Sequence, residues 1–182
     1  YSAHGVRDYI ERSIRVKTKG GHSAVLLTYV SHEIYKGKDK LKGLPATFGN
    51  EDEVTTLAIT CEDKVIGLKA ILRYSVFEKV DAIARSVEVI NAGNDKIILN
   101  KVMSSCLDMD NRDFDMITMH GSWARERHME RKPLGHGKHS VASVRGEGGH
   151  QDHQFMALLE KTATQTYGDV YGFYVGRARK PV

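Results

Sequence analysis

The sequence predicts an all-β protein made of antiparallel strands, with few or no helices. Apolar residues recur with a period of two through most of the chain, which is typical of strands that pack one face against another layer. Turns rich in Gly, Asn and Asp separate these runs, and only three prolines interrupt the chain. A length of 182 residues suits one domain, so we expect a single antiparallel β-domain.

The first strands are expected at residues 14–16 and 24–35, and a clearer pattern follows them. Residues 56–61 alternate between large apolar and smaller side chains, and residues 68–76 keep the same alternation. A Glu-Asp-Lys turn at residues 62–64 joins the two runs. This pair therefore predicts a β-hairpin.

A second hairpin is expected further along the chain. Val87 and Val89 continue the alternation, residues 91–95 can adopt positive φ, and an apolar run follows at residues 97–99. The remaining strands are expected at residues 101–107, 116–119, 139–144 and 170–175.

Two segments are compatible with helix as well as strand. Residues 123–131 contain mostly helix-tolerant side chains, and Arg127 could pair with Glu130 three residues on. Residues 155–161 are also helix-compatible. The local pattern alone favours a helical turn in the first segment.

Composition limits the classes of partner. The chain is 41% hydrophobic and 27% charged, and it has no apolar run approaching the ~18 residues of a membrane span, so no membrane partner is expected. The net charge of +4 is concentrated in a basic tail at residues 177–182, which holds three of the 27 basic residues. The rest of the chain is close to neutral, so we expect no nucleic-acid partner.

The two cysteines, Cys61 and Cys106, each lie in an apolar alternation. Free cysteine is common in such positions, and their spacing gives no support for a disulfide bond. A reducing cytoplasm is therefore the expected compartment.

The sequence contains two clusters that resemble ligand sites. Six histidines have spacings that could assemble a metal site, but no His-x-x-x-His helix or cysteine pair accompanies them, so no metal or other cofactor is expected. These are His120, His128, His136, His139, His150 and His153. Basic residues Arg125, Arg127, Arg131 and Lys132 are interleaved with Glu126 and Glu130, which favours a solvated or ion-paired surface over a phosphate site.

Trp123 is the one candidate substrate-binding residue. Its ring could stack on the apolar face of a sugar. The preferred interpretation is a buried anchor, because Trp carries a large apolar surface.

Residues 120–155, HGSWARERHMERKPLGHGKHSVASVRGEGGHQDHQF, resemble a motif block of the family 36 glycoside hydrolases, the bacterial α-galactosidases. The family block runs Gly-x-Trp-x-Arg-Glu-Arg, Glu-Arg-x-Pro-Leu, a Gly turn, Ser-x-Arg-Gly and Ser-Ser-His-Gln-x-Asn-Pro-Phe. The matching residues are Gly121, Trp123, Arg125, Glu126, Arg127, Glu130, Arg131, Pro133, Leu134, Gly137, Ser143, Arg145, Gly146, His150, Gln151 and Phe155.

The likeness extends over roughly 165 residues in the same order. It includes Tyr29 to Lys38, Leu44-Pro45-Ala46-Thr47, Arg85-Ser86, Asn91-x-Gly93, Ser104 to Asp108 and Gly168 to Phe173. The sequence departs from the pattern at Ile10, where the family has Arg, and at Gly148-Gly149, where it has two serines. These departures affect loops and docking more than the fold.

The resemblance implies an antiparallel β-supersandwich of the galactose mutarotase type, and it overrides the helical interpretation of residues 123–131. It implies one domain over residues 1–176, with its first strands missing. The parent enzyme would be a retaining hydrolase of terminal α-galactosides of the melibiose and raffinose type. Its two catalytic aspartates would lie on a (β/α)8 barrel, and a barrel of ~250 residues does not fit in this chain.

No residue of this chain is therefore expected to be catalytic. The domain would pack on the barrel and support homo-oligomer contacts. Four aspartates superficially resemble the paired carboxylates of glycosidases, but they are more typical of a turn stabilised by Asx hydrogen bonds. They are Asp108, Asp110, Asp113 and Asp115.

Two alternatives stay open at this point. The chain could be a free-standing carbohydrate-binding β-sandwich, which an exposed aromatic platform would favour. It could also be a mutarotase-like sugar epimerase, with His150 or His120 as the acid and Glu126 as the base.

Overall fold

The protein folds almost entirely into antiparallel β-sheet. A computed structural model describes residues 1–3, 11–41, 47–143 and 151–175. These ranges contain ten β-strands, one 3₁₀ helix at Glu78–Val80 and one isolated parallel bridge between Ala3 and Ile14. Every pair of strands is antiparallel, which confirms the predicted fold class.

The chain divides into two compact units. The first comprises residues 1–40 and 47–108, and the second comprises residues 41–46 and 109–182. Strands of the first unit are β1 (Ile14–Thr18), β2 (Thr28–Lys36), β3 (Thr55–Asp63), β4 (Leu68–Phe77), β5 (Ala82–Asn91) and β6 (Ile97–Val102). Strands of the second unit are β7 (Asp115–Ser122), β8 (Arg125–Pro133), β9 (Asp152–Leu159) and β10 (Val170–Tyr174).

A four-stranded sheet of order β2-β3-β4-β5 forms most of the first unit. The predicted hairpin at residues 56–76 is confirmed as β3 and β4, which pair from Thr55–Val76 to Asp63–Leu68. The buried carboxylate of Asp63 accepts hydrogen bonds from the N–H groups of Val65 and Leu26, at 2.9 and 2.7 Å. Asp63 therefore closes the hairpin turn and attaches the segment that leads into β2.

The predicted second hairpin is wrong, because β5 and β6 lie in different sheets. β5 pairs with β4, whereas β6 pairs with β1 in a two-stranded sheet. None of residues 92–96, all of which the structure describes, has the positive φ that a tight hairpin turn requires. The chain instead crosses to the other sheet, where Ile97 packs against a core cluster containing Ile14 and Val16.

The second unit is built around a sheet of order β10-β9-β7-β8. Its central strands bury Met116 and Thr118 on β7 and Ala157 and Leu159 on β9. β8 lies at one edge and is exposed over almost its whole length, whereas β10 forms the opposite edge.

Several other expected strands are confirmed with different bounds, and one of them does not form. The strand expected at 24–35 begins at Thr28, and the one expected at 101–107 ends at Val102 as the last part of β6. Residues 139–143 are not a strand, and residue 144 lies outside the described residues. Both helix-compatible segments form strands, β8 and β9, which confirms the choice of β for residues 123–131.

The described ranges contain no helix long and apolar enough to cross a bilayer.

Candidate functional site

The turn between β7 and β8 exposes the only tryptophan of the sequence. Ser122 pairs with Arg125, so Trp123 and Ala124 form the two-residue loop of the hairpin. Ala124 has φ 63, and its N–H donates to Glu126 Oε1 at 3.0 Å. The hydrogen bond holds a backbone conformation that residues other than Gly rarely adopt.

The interpretation of Trp123 as a buried anchor is wrong, since the residue is 82% exposed. At a loop of two residues, the neighbouring strands end before they can cover the ring. The position of Trp123 in a turn therefore decides its exposure more than the large apolar area of its side chain does.

A groove runs along the start of β8 beside this turn. It has a volume of about 770 Å³ and is lined by Gly121, Ser122, Arg125, Glu126, Arg127, His128 and Met129. Within the described residues, Arg125 and Arg127 have no hydrogen-bond or ion-pair partner. Arg127 also has a positive φ of 58, which interrupts the regular alternation of the strand.

The basic cluster of β8 is thus divided between paired and unpaired side chains. Lys132 lies 3.4 Å from Glu130, and Arg131 Nε donates to Asp115 Oδ2 at 2.7 Å. The ion-paired surface predicted from the sequence is therefore confirmed for Arg131 and Lys132. Arg125 and Arg127 are exposed, which agrees with the solvated part of that prediction.

His120 lies at the centre of a hydrogen-bonded group on β7, β8 and β9. Its Nδ1 is 2.8 Å from Asp152 Oδ1, and its Nε2 is 2.7 Å from Thr118 Oγ1 and 3.7 Å from Glu130 Oε2. Both ring nitrogens are therefore engaged within the sheet. Glu126, the base considered for an epimerase, accepts a hydrogen bond from the N–H of Ala124 in the turn.

Among the other histidines, His128 lies opposite His120 in the pairing of β8 with β7. His139 Nε2 lies 3.2 Å from the carbonyl oxygen of Gly135, and the His153 ring lies 6.2 Å from that of Tyr174. His150 lies outside the described residues. Across the described part of the chain, no three His, Cys, Asp or Glu side chains are grouped to hold a metal ion.

The aspartates between β6 and β7 serve the local structure. Asp113 N–H donates to Asn111 Oδ1 at 3.0 Å, which confirms an Asx-type turn in this segment. The Asp113 carboxylate pairs with Lys161, and that of Asp115 pairs with Arg131. Both carboxylates therefore bind cations of their own unit.

Sequence reasoning missed a charged cluster in the first unit. Arg73 lies 2.8 Å from both Asp39 Oδ2 and Glu88 Oε2, and the Tyr35 hydroxyl donates to Asp39 at 2.7 Å. Burial opposes the charge on Arg73, but the hydrogen bond and charge of Glu88 leave its pKa raised. Burial and the Asp39 carboxylate raise the pKa of Tyr35 to about 12. The alternation of apolar and polar side chains along β4 is the sequence signal that places Arg73 on the polar face of the strand.

The fold and its sequence define an accessory β-domain of the glycosyl hydrolases. The family model for the "Glycosyl hydrolase family 36 N-terminal domain" matches residues 1–176. The chain belongs to this family, which confirms the resemblance seen in the motif block.

Matches to individual proteins support the same family assignment. The chain is 40% identical over 174 residues to α-galactosidase AgaA of Geobacillus stearothermophilus, covering 95% of this chain and 24% of that protein. Solved structures of AgaA variants in complex with raffinose and with stachyose each match with a TM-score of 0.91 and 39% identity, covering 94% of this chain and 24% of the solved chain. The chain thus spans about a quarter of the length of the relatives it matches.

Proposed function

We propose that this chain is the non-catalytic N-terminal domain of an α-galactosidase that removes terminal α-linked galactose from oligosaccharides such as melibiose and raffinose. The observation that carries the proposal is the match over residues 1–176 to a domain that makes up about a quarter of α-galactosidase relatives. The remaining length of such a relative is ample for a catalytic (β/α)8 barrel of ~250 residues.

The described residues support a structural role. Asp113 and Asp115 are engaged in ion pairs, and both nitrogens of His120 are hydrogen-bonded within the sheet. Acid–base catalysis requires a group that can reach substrate. We propose that retaining hydrolysis by two aspartates takes place on the barrel, and that this domain packs against it.

Hydrolysis by the purified 182-residue chain tests the assignment directly. The chain should be confirmed as folded by circular dichroism and then incubated with a chromogenic α-galactoside and with melibiose. We expect no turnover above the buffer control. Turnover by the folded chain would contradict the proposal and direct attention to the carboxylates at residues 108–115.

A chimera provides the complementary test. The segment of Geobacillus stearothermophilus AgaA that matches this chain would be replaced by residues 1–176, and an AgaA lacking the segment would be the control. We expect the chimera to hydrolyse the chromogenic α-galactoside and the deletion form to lose most activity. A folded chimera that is no more active than the deletion form would contradict the proposal that this chain has the same role as the matching segment of AgaA.

Compartment and assembly are proposed on separate grounds. Cys61 and Cys106 are both free, which supports a reducing cytoplasm.

On the edge strand β2, Tyr29 and Ile34 are 61% and 66% exposed, which supports contact with a further subunit of a homo-oligomer. Sedimentation of the chimera with Ile34→Lys should show a smaller species than the unsubstituted chimera.

A further inference from the structure

The edge strand β10 is the only strand of the described residues that carries no charged side chain. Its sequence is Val-Tyr-Gly-Phe-Tyr, and among the described strands it pairs with β9 alone, in an unbroken register. Edge strands are usually protected from pairing with another chain by charged side chains, prolines or bulges. β10 has none of these features within its own residues.

The hydrogen bonds at the two ends of β10 show which of its backbone groups face away from β9. Val175 N–H donates to the carbonyl oxygen of Gln154, and Glu160 N–H donates to that of Asp169, both at 3.3 Å. Backbone groups alternate in direction along an antiparallel strand, so every second residue from 169 to 175 bonds towards β9. The residues between them direct their N–H and C=O groups to the open edge. These are Val170, Gly172 and Tyr174.

The outward backbone groups match those of a second β10 strand that runs in the opposite direction. When Gly172 of one copy lies opposite Gly172 of the other, Val170 lies opposite Tyr174 on both sides of a two-fold axis. The outward-facing residues then all form hydrogen-bonded pairs, which gives about six interchain hydrogen bonds.

The side chains of β10 match under the same symmetry. Val170 and Tyr174, which are 52% and 66% exposed, would cover each other across the two copies. Tyr171 and Phe173, both half-buried, would lie opposite one another as aromatic cross-strand pairs. Because the strand is nearly symmetric in side-chain size about Gly172, a second copy fits it better than a strand of unrelated sequence does.

We propose that two copies of this chain associate through β10, with Gly172 on the two-fold axis. The contact joins the two four-stranded sheets into one continuous sheet, and β8 forms both of its outer edges. This contact is separate from the one proposed for β2, which lies in the first unit.

Sedimentation equilibrium of the folded 182-residue chain, over about 1–500 µM, measures the association. We expect the 20.4 kDa monomer to convert to a species of twice that mass as the concentration rises. A monomer at every concentration would overturn the proposal. An open-ended series of larger species would also overturn it, because pairing about a two-fold axis is closed.

Charge variants at Gly172 test the position of the axis. Gly172→Glu places two carboxylates directly opposite each other and should weaken association about fivefold or more, and Gly172→Lys should do the same with two ammonium groups. An equimolar mixture of the two variants should associate more tightly than either alone, since Glu then faces Lys. The monomer should tolerate both changes, because an added Cβ meets Phe155 at an ordinary contact distance of 3.5 Å.

Val65→Glu is the matched control, since Val65 is 94% exposed in the first unit and the substitution changes the net charge as Gly172→Glu does. It should associate as the parent chain does, and circular dichroism should show that each variant is folded. Unchanged association of Gly172→Glu, an equal loss in Val65→Glu, or no gain in the mixture would overturn the assignment to β10.

Discussion

Arg131 shows how much structure one side chain of β8 organises. Besides its bond to Asp115, it donates to the carbonyl oxygens of Glu160, Lys161 and Ala163, at 3.2, 2.8 and 2.8 Å. The planar guanidinium reaches all these acceptors at once because it carries five donors in a fixed arrangement. The segment after β9 is therefore fastened to β8 through Arg131.

Replacing Arg131 by Lys should lower the free energy of unfolding by about 2 kcal/mol, since a single ammonium cannot reproduce the set of hydrogen bonds. Urea denaturation gives the measurement. Arg112→Lys is the control, because Arg112 makes only long, exposed ion pairs of 3.9 and 3.8 Å to Glu160 and Asp169, and it should change little. Equal effects of the two substitutions would contradict the role given to Arg131.

Tyr1 confers a pH dependence on stability. Its hydroxyl donates to the carbonyl oxygen of Met103 at 2.7 Å, and burial raises its pKa from 10.0 to about 12. The raised pKa means that folding favours the neutral phenol. The stabilisation is therefore complete below pH 10 and is lost as the pH rises towards 12.

Substituting Tyr1 by Phe should cost about 1 kcal/mol below pH 10, and this difference from the parent chain should shrink between pH 10 and 12. Denaturation of the parent chain and of the Tyr1→Phe variant at several pH values measures the stability difference and its pH dependence. Tyr167→Phe, at an exposed position, should give no such change. A pH-independent difference for Tyr1→Phe would show that its hydroxyl is not linked to folding.

At the scale of elements, local pattern predicted the strands better than their partners. The β3–β4 hairpin follows from alternation plus a three-residue turn, and both are local. The partner of β6 is not local: Val16 pairs with Leu99, which is far away in sequence, and Ile97 of β6 packs against the core cluster that contains Val16. Period-two patterns identify a strand but leave its sheet undetermined.

The connection between β3 and β4 depends on Gly67, which has φ 68. A Cβ there would lie 2.6 Å from both Cα and N of Gly93. Gly67→Ala should therefore destabilise the chain by about 3 kcal/mol through strain and collision with backbone.

Gly21→Ala is the control for Gly67→Ala, because Gly21 has φ 85 but no atom within 4 Å of an added Cβ. It should cost only about 1 kcal/mol from backbone strain. Thermal unfolding of both variants separates strain from collision, and equal losses would exclude the collision.

For the molecule as a whole, fold class and family could be predicted from sequence, whereas the state of Trp123 could not. The motif order extends over most of the chain and needs no knowledge of contacts. Exposure of Trp123 depends on the register of Ser122 with Arg125, which places the ring in a two-residue loop. Composition indicates that such a side chain prefers burial, but it does not specify whether a covering layer is present.

Cys61 and Cys106 form no disulfide bond with each other. Cys106 is exposed and Cys61 is half-buried, and burial raises the pKa of the Cys61 thiol. A thiol reagent should therefore modify Cys106 first, and both after unfolding, while reductant should leave the unfolding midpoint unchanged. A midpoint that falls on reduction would contradict the free state of the cysteines.

The two edges of the β10-β9-β7-β8 sheet differ in their capacity to recruit another chain. β8 carries charged side chains along most of its length, is bent at Arg127 and ends at Pro133, three features that discourage backbone pairing. β10 is uncharged, and its Val170 and Tyr174 are more than half exposed. Of the two edges of this sheet, β10 is therefore the one whose side chains favour pairing with a further strand.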